Sequence, residues 1–298
     1  MPRTTIASQV LEYLAQERRI IAADWRFHVM YMRMARTHGY ALPDIVKLNH
    51  LIKALHSARD IAPIAGISGV FRITVPYASV LPSPQEVIIQ EANPIAVFSH
   101  FTAAAYHDLT NEIPNTIHLS HFRTSSSRLP LGTTPEDWTD IPEPRRRTPE
   151  AIDGAQIQWF QTKAEWDFGH VVGYVQGNPI YITDLERTLL DILRFPDRSG
   201  GAMQVLRMWK RAAPRLRLDL LIDYAGRFDQ TLLRQRVGFI LEHLRLTHPI
   251  LQDWAKNSVR GSSAKLIANA DFSPTFSERW NLSINIPDTI LSELQDDL

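Results

Sequence analysis

Three observations predict an α+β fold in two parts. Apolar residues at helical spacing dominate the chain, short β-branched runs interrupt them, and Leu81-Pro-Ser-Pro84 has the composition of a linker. The 298 residues suffice for two domains with substantial cores. The expected domains are therefore 1–80 and 85–298.

Composition narrows the function classes only a little. Lys plus Arg and Asp plus Glu number 32 each, so local clustering rather than net charge has to decide on a nucleic-acid partner. The chain has no cysteine, which excludes disulfides and thiolate metal sites. Met1-Pro-Arg-Thr-Thr-Ile6 lacks the apolar core of a signal peptide, and no apolar run is long enough to span a membrane. A soluble cytoplasmic protein is expected.

In chain order, Ser8–Glu17 reads as a helix with Val10, Leu11 and Leu14 on one face, and Arg19–Ala22 as a short strand. A second helix runs from about Ala23 to Thr37 and stops at Gly39, where glycine can take a positive φ. Its Met30, Met32 and Met34 read most simply as core. Pro43 suits the first turn of a third helix reaching Ser57, with Ile45, Leu48, Ile52 and Leu55 as its apolar stripe. Lys47, Asn49, His50 and Lys53 lie off that stripe. Ile61–Ile64 and Val70–Val75 are strands hinged by Gly66 and Gly69.

That order is the order of a winged helix-turn-helix. The first 80 residues carry ten basic and five acidic side chains, and phosphate neutralisation dominates DNA affinity. The expected DNA-binding residues are Lys47, Asn49, His50 and Lys53 on the recognition helix, with Arg59 and Arg72 beside it. A solvated helical surface is the plainer alternative.

Beyond the linker, Glu86–Gln90 reads as a strand, Ser99 as the cap of a helix to Leu109, and Thr116–Ser120 as a strand. His100, His107, His118 and His121 lack the spacing and nearby carboxylate of a metal site, so they read as packed or surface histidines. Residues 123–154, rich in Ser, Thr, Pro and charge and containing Arg145-Arg-Arg147, read as a mobile excursion. Ile157–Gln161 and His170–Gln176 are strands, with a turn at Gly177-Asn178-Pro179. Thr183 or Asp184 can then cap a helix whose Leu185, Leu189, Ile192 and Leu193 recur at helical spacing, with Glu186 placed as in a capping box. Asp184, Glu186, Arg187 and Asp191 cluster on it, and Arg187 stands one turn before Asp191, close enough to pair. Met203–Ala212, Asp219–Arg227 and Thr231–Leu244 read as amphipathic helices. The first of these and the turn after it carry a basic cluster, Arg207, Lys210, Arg211, Arg215 and Arg217, which suits a solvated face or a surface for toxin or RNA equally well. Trp280–Ile286 alternates like a strand, and Asp288–Leu298 is an acidic tail.

Tyr181-Ile-Thr-Asp-Leu-Glu-Arg-Thr-Leu-Leu-Asp191 followed by Pro196 and Gly200-Gly201 resembles the antitoxin domain of AbiEi-type proteins, the antitoxins of type IV (abortive-infection) toxin–antitoxin systems. Arg234-Gln-Arg-Val-Gly-Phe-Ile-Leu-Glu-His-Leu244 is similar to the family's R-x-G-[YF]-x-L-E helix, and Arg279-Trp-Asn-Leu-Ser-Ile-Asn285 to its closing R-W-x-L-x-I-N strand. The entry into that domain, from Pro94 to Ala104, and the wing strand Gly69-Val-Phe-Arg72 are similar too.

The resemblance implies an N-terminal DNA-binding module that represses its own operon. It also implies a C-terminal mixed α/β antitoxin-type domain that counteracts a nucleotidyltransferase-like toxin, with or without a stable complex between them. Operator DNA and that toxin are the implied partners. No catalytic residue, cofactor or metal is expected, and Asp184, Glu186, Arg187 and Asp191 form a motif of unassigned role. Two other readings remain: a stand-alone regulator with a ligand-sensing second domain, and a nuclease-like enzyme with Asp184, Glu186 and Asp191 around Mg²⁺. Against the nuclease, no strand-borne carboxylate is followed by Glu-x-Lys, and Arg187 offers those carboxylates a simple partner.

Overall fold

The computed structural model describes residues 5–75, 78, 83–122, 128–139, 141–259 and 264–295. The fold is α+β. In chain order its elements are α1 (Ile6–Gln16), β1 (Ile21–Ala23), α2 (Asp24–His38), α3 (Ile45–Ser57), β2 (Ile61–Pro63), β3 (Val70–Ile73), α4 (Gln85–Ala92), β4 (Val97–Phe98) and α5 (His100–Tyr106). Then come β5 (Thr116–Phe122), β6 (Ala151–Ile152), β7 (Ala155–Thr162), β8 (His170–Val175), β9 (Asn178–Thr183), α6 (Leu185–Arg194), α7 (Ala202–Ala212) and α8 (Leu218–Arg227). Last are α9 (Thr231–His243), α10 (Ile250–Lys256), β10 (Phe276–Ser277), β11 (Leu282–Ser283) and α11 (Asp288–Gln295). The chain forms two compact units, one of Met1–Ala96, Thr124–Trp159 and Val172–Tyr181, the other of Val97–Arg123, Phe160–Val171 and Ile182–Leu298.

The first unit opens with the expected winged helix-turn-helix. Thr5 caps α1 by accepting the Ser8 N–H, and α2 ends where Gly39 turns left-handed at φ 69°. Asp44 caps α3 by accepting the Lys47 N–H at 2.8 Å. Strands β1, β3 and β2 pair antiparallel in that order, with Arg72 opposite both Ile21 and Ala62. Val10, Leu14, Phe27, Met30, Met34, Leu48, Leu51 and Leu55 are buried, so the α2 methionines are core. The apolar stripe of α3 differs from the expected one: Leu51 is inside with Leu48 and Leu55, while Ile45 is exposed.

The division of the chain also differs from 1–80 and 85–298, because this unit is closed by residues far along the sequence. Glu86–Gln90, expected as a strand, lies in helix α4, whose Glu91 carboxylate takes Arg26 at 2.5 Å and the Ala23 N–H. Burial lowers the pKa of the Arg26 guanidinium, and its Glu91 partner opposes that shift. Gln90 seals the helix end, donating to the carbonyls of Pro94 and Ala96 and accepting the Tyr181 N–H at 2.7 Å. The described part of the expected 123–154 excursion is packed onto the same unit. Asp137 pairs with Arg33 at 2.7 Å, Trp138 lies against Trp25, and Arg147 reaches Asp24 at 2.5 Å. Strands β6 and β7 form a hairpin around Asp153-Gly154, both at positive φ, the chemistry of a two-residue type I′ turn.

In the second unit β4 pairs antiparallel with β5 and parallel with β9, which makes the sheet mixed. Helices α6, α7, α8 and α9 supply its core, including Leu189, Ile192, Trp209, Leu221 and Ile240. The expected strand at Trp280–Ile286 shortens to β11, which pairs antiparallel with β10 and bridges Lys265 in parallel through Ser283. The acidic tail is instead helix α11 over its described residues, with Ile290 and Leu294 buried one turn apart. Among the described residues no helix is long and apolar enough to cross a membrane.

Candidate functional site

Two sets of residues carry the candidate chemistry, one in each unit. The first is the outer face of α3 with the nearby strand β3. Lys47, Asn49, His50, Lys53, Arg59 and Arg72 are all exposed. The Lys47 ammonium reaches the Leu42 carbonyl at 3.4 Å. Among the described residues the side chains of the other five form no hydrogen bond or ion pair. At about 100° per residue, Asn49, His50 and Lys53 share the face opposite Leu48, Leu51 and Leu55, and Lys47 falls on its far flank. Arg59 follows α3 in a left-handed conformation at φ 62°. Arg72 is exposed on β3, between half-buried Phe71 and buried Ile73.

The local basic excess is thinner than a count over residues 1–80 implies. Arg26 and Arg33 are neutralised by Glu91 and Asp137, which lie outside that span, and Arg19 is held by Glu17 at 3.0 Å. The hydrogen bonds that Arg33 donates to the Asp137 carboxylate raise its pKa. Of the exposed cations in this span, Lys47, Lys53, Arg59 and Arg72 lie on α3, just after it or on β3, while Arg18 and Arg36 lie elsewhere. The wing tip, from Ile64 to Gly69, carries no basic residue.

The second set is Asp184, Glu186, Arg187 and Asp191 on α6, and all four are buried. Asp184 is the cap, accepting the Arg187 N–H at 2.9 Å and the Tyr224 hydroxyl at 2.9 Å. Burial raises its carboxyl above the usual carboxylate range, and burial together with Asp184 raises the Tyr224 phenol. Glu186 does not close a capping box onto Thr183. It accepts from Arg217 at 2.5 Å instead, while Thr183 bonds the Thr188 hydroxyl at 2.7 Å. Arg187 pairs with Asp191 through Nε at 3.0 Å, and its Nη1 donates to the carbonyls of Trp166 and Phe168. Its guanidinium lies 4.6 Å from the Phe168 and Phe228 ring centres. A Cβ at Gly169 would stand 2.7 Å from the Arg187 Cβ, so the close approach requires glycine there. Asp191 also faces Arg194, whose pKa burial lowers to about 10.

Each α6 carboxylate therefore faces a guanidinium or hydroxyl. Among the described residues no three His, Cys, Asp or Glu side chains gather as a metal site would require. The basic cluster is similarly engaged: Arg207 pairs with Glu293, Lys210 donates to the Glu293 carbonyl, Arg211 bonds Asn111, and Arg215 bonds the His107 carbonyl at 2.8 Å. The two remaining motifs meet each other. Glu242 accepts from the Trp280 indole and from Arg279, both at 2.5 Å, and a Cβ at Gly238 would run into the Trp280 ring. Sequence reasoning missed Tyr224 and the pairing of Arg217 with Glu186, because neither partner is near in sequence.

No family model and no curated protein matches the chain. The crystal structure of the RV2827C protein from Mycobacterium tuberculosis is similar over 97% of this chain and 94% of that one, with a TM-score of 0.53 and 13% identity. That likeness shows a shared fold and nothing further.

Proposed function

We propose that this chain is a cytoplasmic DNA-binding autorepressor and the antitoxin of a type IV toxin–antitoxin pair, acting without catalysis of its own. The observation that carries the DNA-binding half is the outer face of α3, where Asn49, His50 and Lys53 stand exposed and unpaired on a winged helix-turn-helix, with Arg59 and Arg72 nearby. Amide and imidazole groups bond base edges, and ammonium and guanidinium groups hold phosphates. The antitoxin half is supported by the resemblance of the 181–201, 234–244 and 279–285 segments to AbiEi-type proteins, and its partner is a nucleotidyltransferase-like toxin.

Two measurements test the two halves. The full chain is titrated with its own upstream DNA and with scrambled DNA at several salt concentrations. The upstream DNA should bind more tightly, with a log–log salt slope of about −3 to −4 per protomer if Lys47, Lys53, Arg59 and Arg72 each neutralise one phosphate. No preference at any salt would end the repressor reading. Co-expression with the adjacent gene, scored for growth, tests the antitoxin: no rescue, or a neighbour that is not toxic, removes that half.

A further inference from the structure

The first turn of α3 carries an apolar feature that the core does not explain. Ile45 is 64% exposed and Val46 56%, and Tyr40 and Leu42 just before them are also exposed, so four large apolar side chains face solvent within seven residues. Scattered surface apolar residues are ordinary, but a cluster of them marks an interaction surface. Local structure gives no reason for the pair either, since β-branched residues are poorer helix formers than alanine. The helix start is already secured by Asp44, whose carboxylate the Lys47 N–H holds below the usual range.

Their placement names the occupant. Ile45 lies one turn before Asn49 and Val46 one turn before His50, with Lys53 one turn beyond Asn49, so the apolar pair continues the polar face toward the helix N-terminus. In helix-turn-helix docking the N-terminal residues of the recognition helix approach base edges most closely. In the major groove the one apolar group a base presents is the thymine C5-methyl. The basic side chains around the pair suit a polyanion, and Asp44 is turned to its own helix. We propose that Ile45 and Val46 are specificity-determining residues that read thymine methyl groups in the bound site. The proposal rests on the DNA-binding reading above and adds a base preference to it.

The test uses the full chain and the upstream duplex that it protects, prepared with thymine or with deoxyuridine at each position, which removes only the methyl. Wild type should bind about fourfold more weakly for each contacted methyl lost, the worth of one buried methyl-sized group. The double variant Ile45→Ala/Val46→Ala should bind thymine and uracil duplexes equally while keeping the wild-type melting temperature and salt slope. Equal wild-type affinity for the two duplexes overturns the proposal, and so does a double variant that retains the discrimination. A double variant that loses self-association but still discriminates also overturns it, and assigns the patch to a second copy of the chain. All three results leave the DNA-binding reading intact. Only a wild type without preference for upstream over scrambled DNA removes both.

Discussion

Helices α3 and α6 both begin at an aspartate cap and both carry clustered charge, yet they use it in opposite ways. On α3 the charged and amide side chains lie outside, and the inner face is Leu48, Leu51 and Leu55. On α6 the charged residues from Glu186 to Asp191 are themselves buried, each against an opposite charge or a hydroxyl. Exposed charge keeps its hydration and remains open to a ligand, whereas buried charge has to be paired. The same residue types therefore point to binding on one helix and to architecture on the other. The role of the Asp184–Asp191 motif that this contrast supports is to lock α6 to its neighbours.

The largest effect that could break the contrast is on α6. Arg187 and Asp191 are each 2% exposed, so Arg187→Ala leaves the buried carboxylate to Arg194 at 3.6 Å and should cost about 3 kcal/mol, read as a large fall in melting temperature. Replacing the pair by Arg187→Met with Asp191→Leu should recover most of that loss. An unchanged melting temperature in Arg187→Ala, with toxin rescue lost, would move the motif from architecture to direct function.

A smaller effect concerns pH. His100 is buried beside Phe160 and His118, bonded to Ser99, and burial pushes its pKa down to about 3 despite the attraction of Asp191. Its folded pKa lies below the unfolded value, so the unfolded chain takes up the proton first. The stability that neutral His100 contributes is present above about pH 6.5 and is lost as pH falls, by about 2 kcal/mol at pH 5. Because His100 sits at φ 52°, His100→Asn is the apt control, as asparagine tolerates that conformation. The variant's stability should fall less steeply between pH 7 and pH 5 than that of wild type in chemical denaturation; an identical slope would remove His100 as the source.

How much of this was legible in the sequence depended on the distance over which each feature is decided. The Asp184 cap, the Gly39 stop and the Arg187–Asp191 pair are local and could be read directly, whereas Pro43, expected in the first turn of α3, stands just before its Asp44 cap. Glu86–Gln90 could not, because a short apolar run suits a strand or a helix, and the long-range partners Arg26 and Tyr181 settle it. The 128–154 segment looked loose by composition, yet Asp137 and Arg147 are claimed by α2 residues more than a hundred positions earlier. On the candidate interface, exposed polar residues were found from the stripe. Exposure of Ile45 was missed, since one extra apolar residue fits a helical stripe equally well.

On α3 the expected effects are smaller and fall on binding rather than folding. Asn49→Ala and His50→Ala should leave stability within about 0.5 kcal/mol, as surface changes do. Each should relax the preference for upstream over scrambled DNA by about 1 kcal/mol, the low end of what base-edge contacts contribute. Titration against both duplexes, paired with a melting curve, checks this. A fall in stability with specificity unchanged would make α3 resemble α6 and erase the contrast.

The smallest effects should come from Lys53→Ala and Arg72→Ala, and they sharpen the contrast most. Both side chains are exposed and neither forms an ion pair among the described residues, so removing either gives up no internal contact. If each holds a phosphate, affinity for upstream and scrambled DNA should fall together, leaving their ratio intact. The slope of log affinity against log salt should become shallower by about 0.9 per substitution. Arg36→Ala is the internal comparison, since the Arg36 guanidinium donates to the Glu136 carbonyl at 2.7 Å within its own unit. It should leave the salt slope unchanged. If Arg36→Ala flattens the slope as much as Lys53→Ala does, the cations act as a diffuse cloud, and the placement of Lys53 and Arg72 on a defined face loses its meaning.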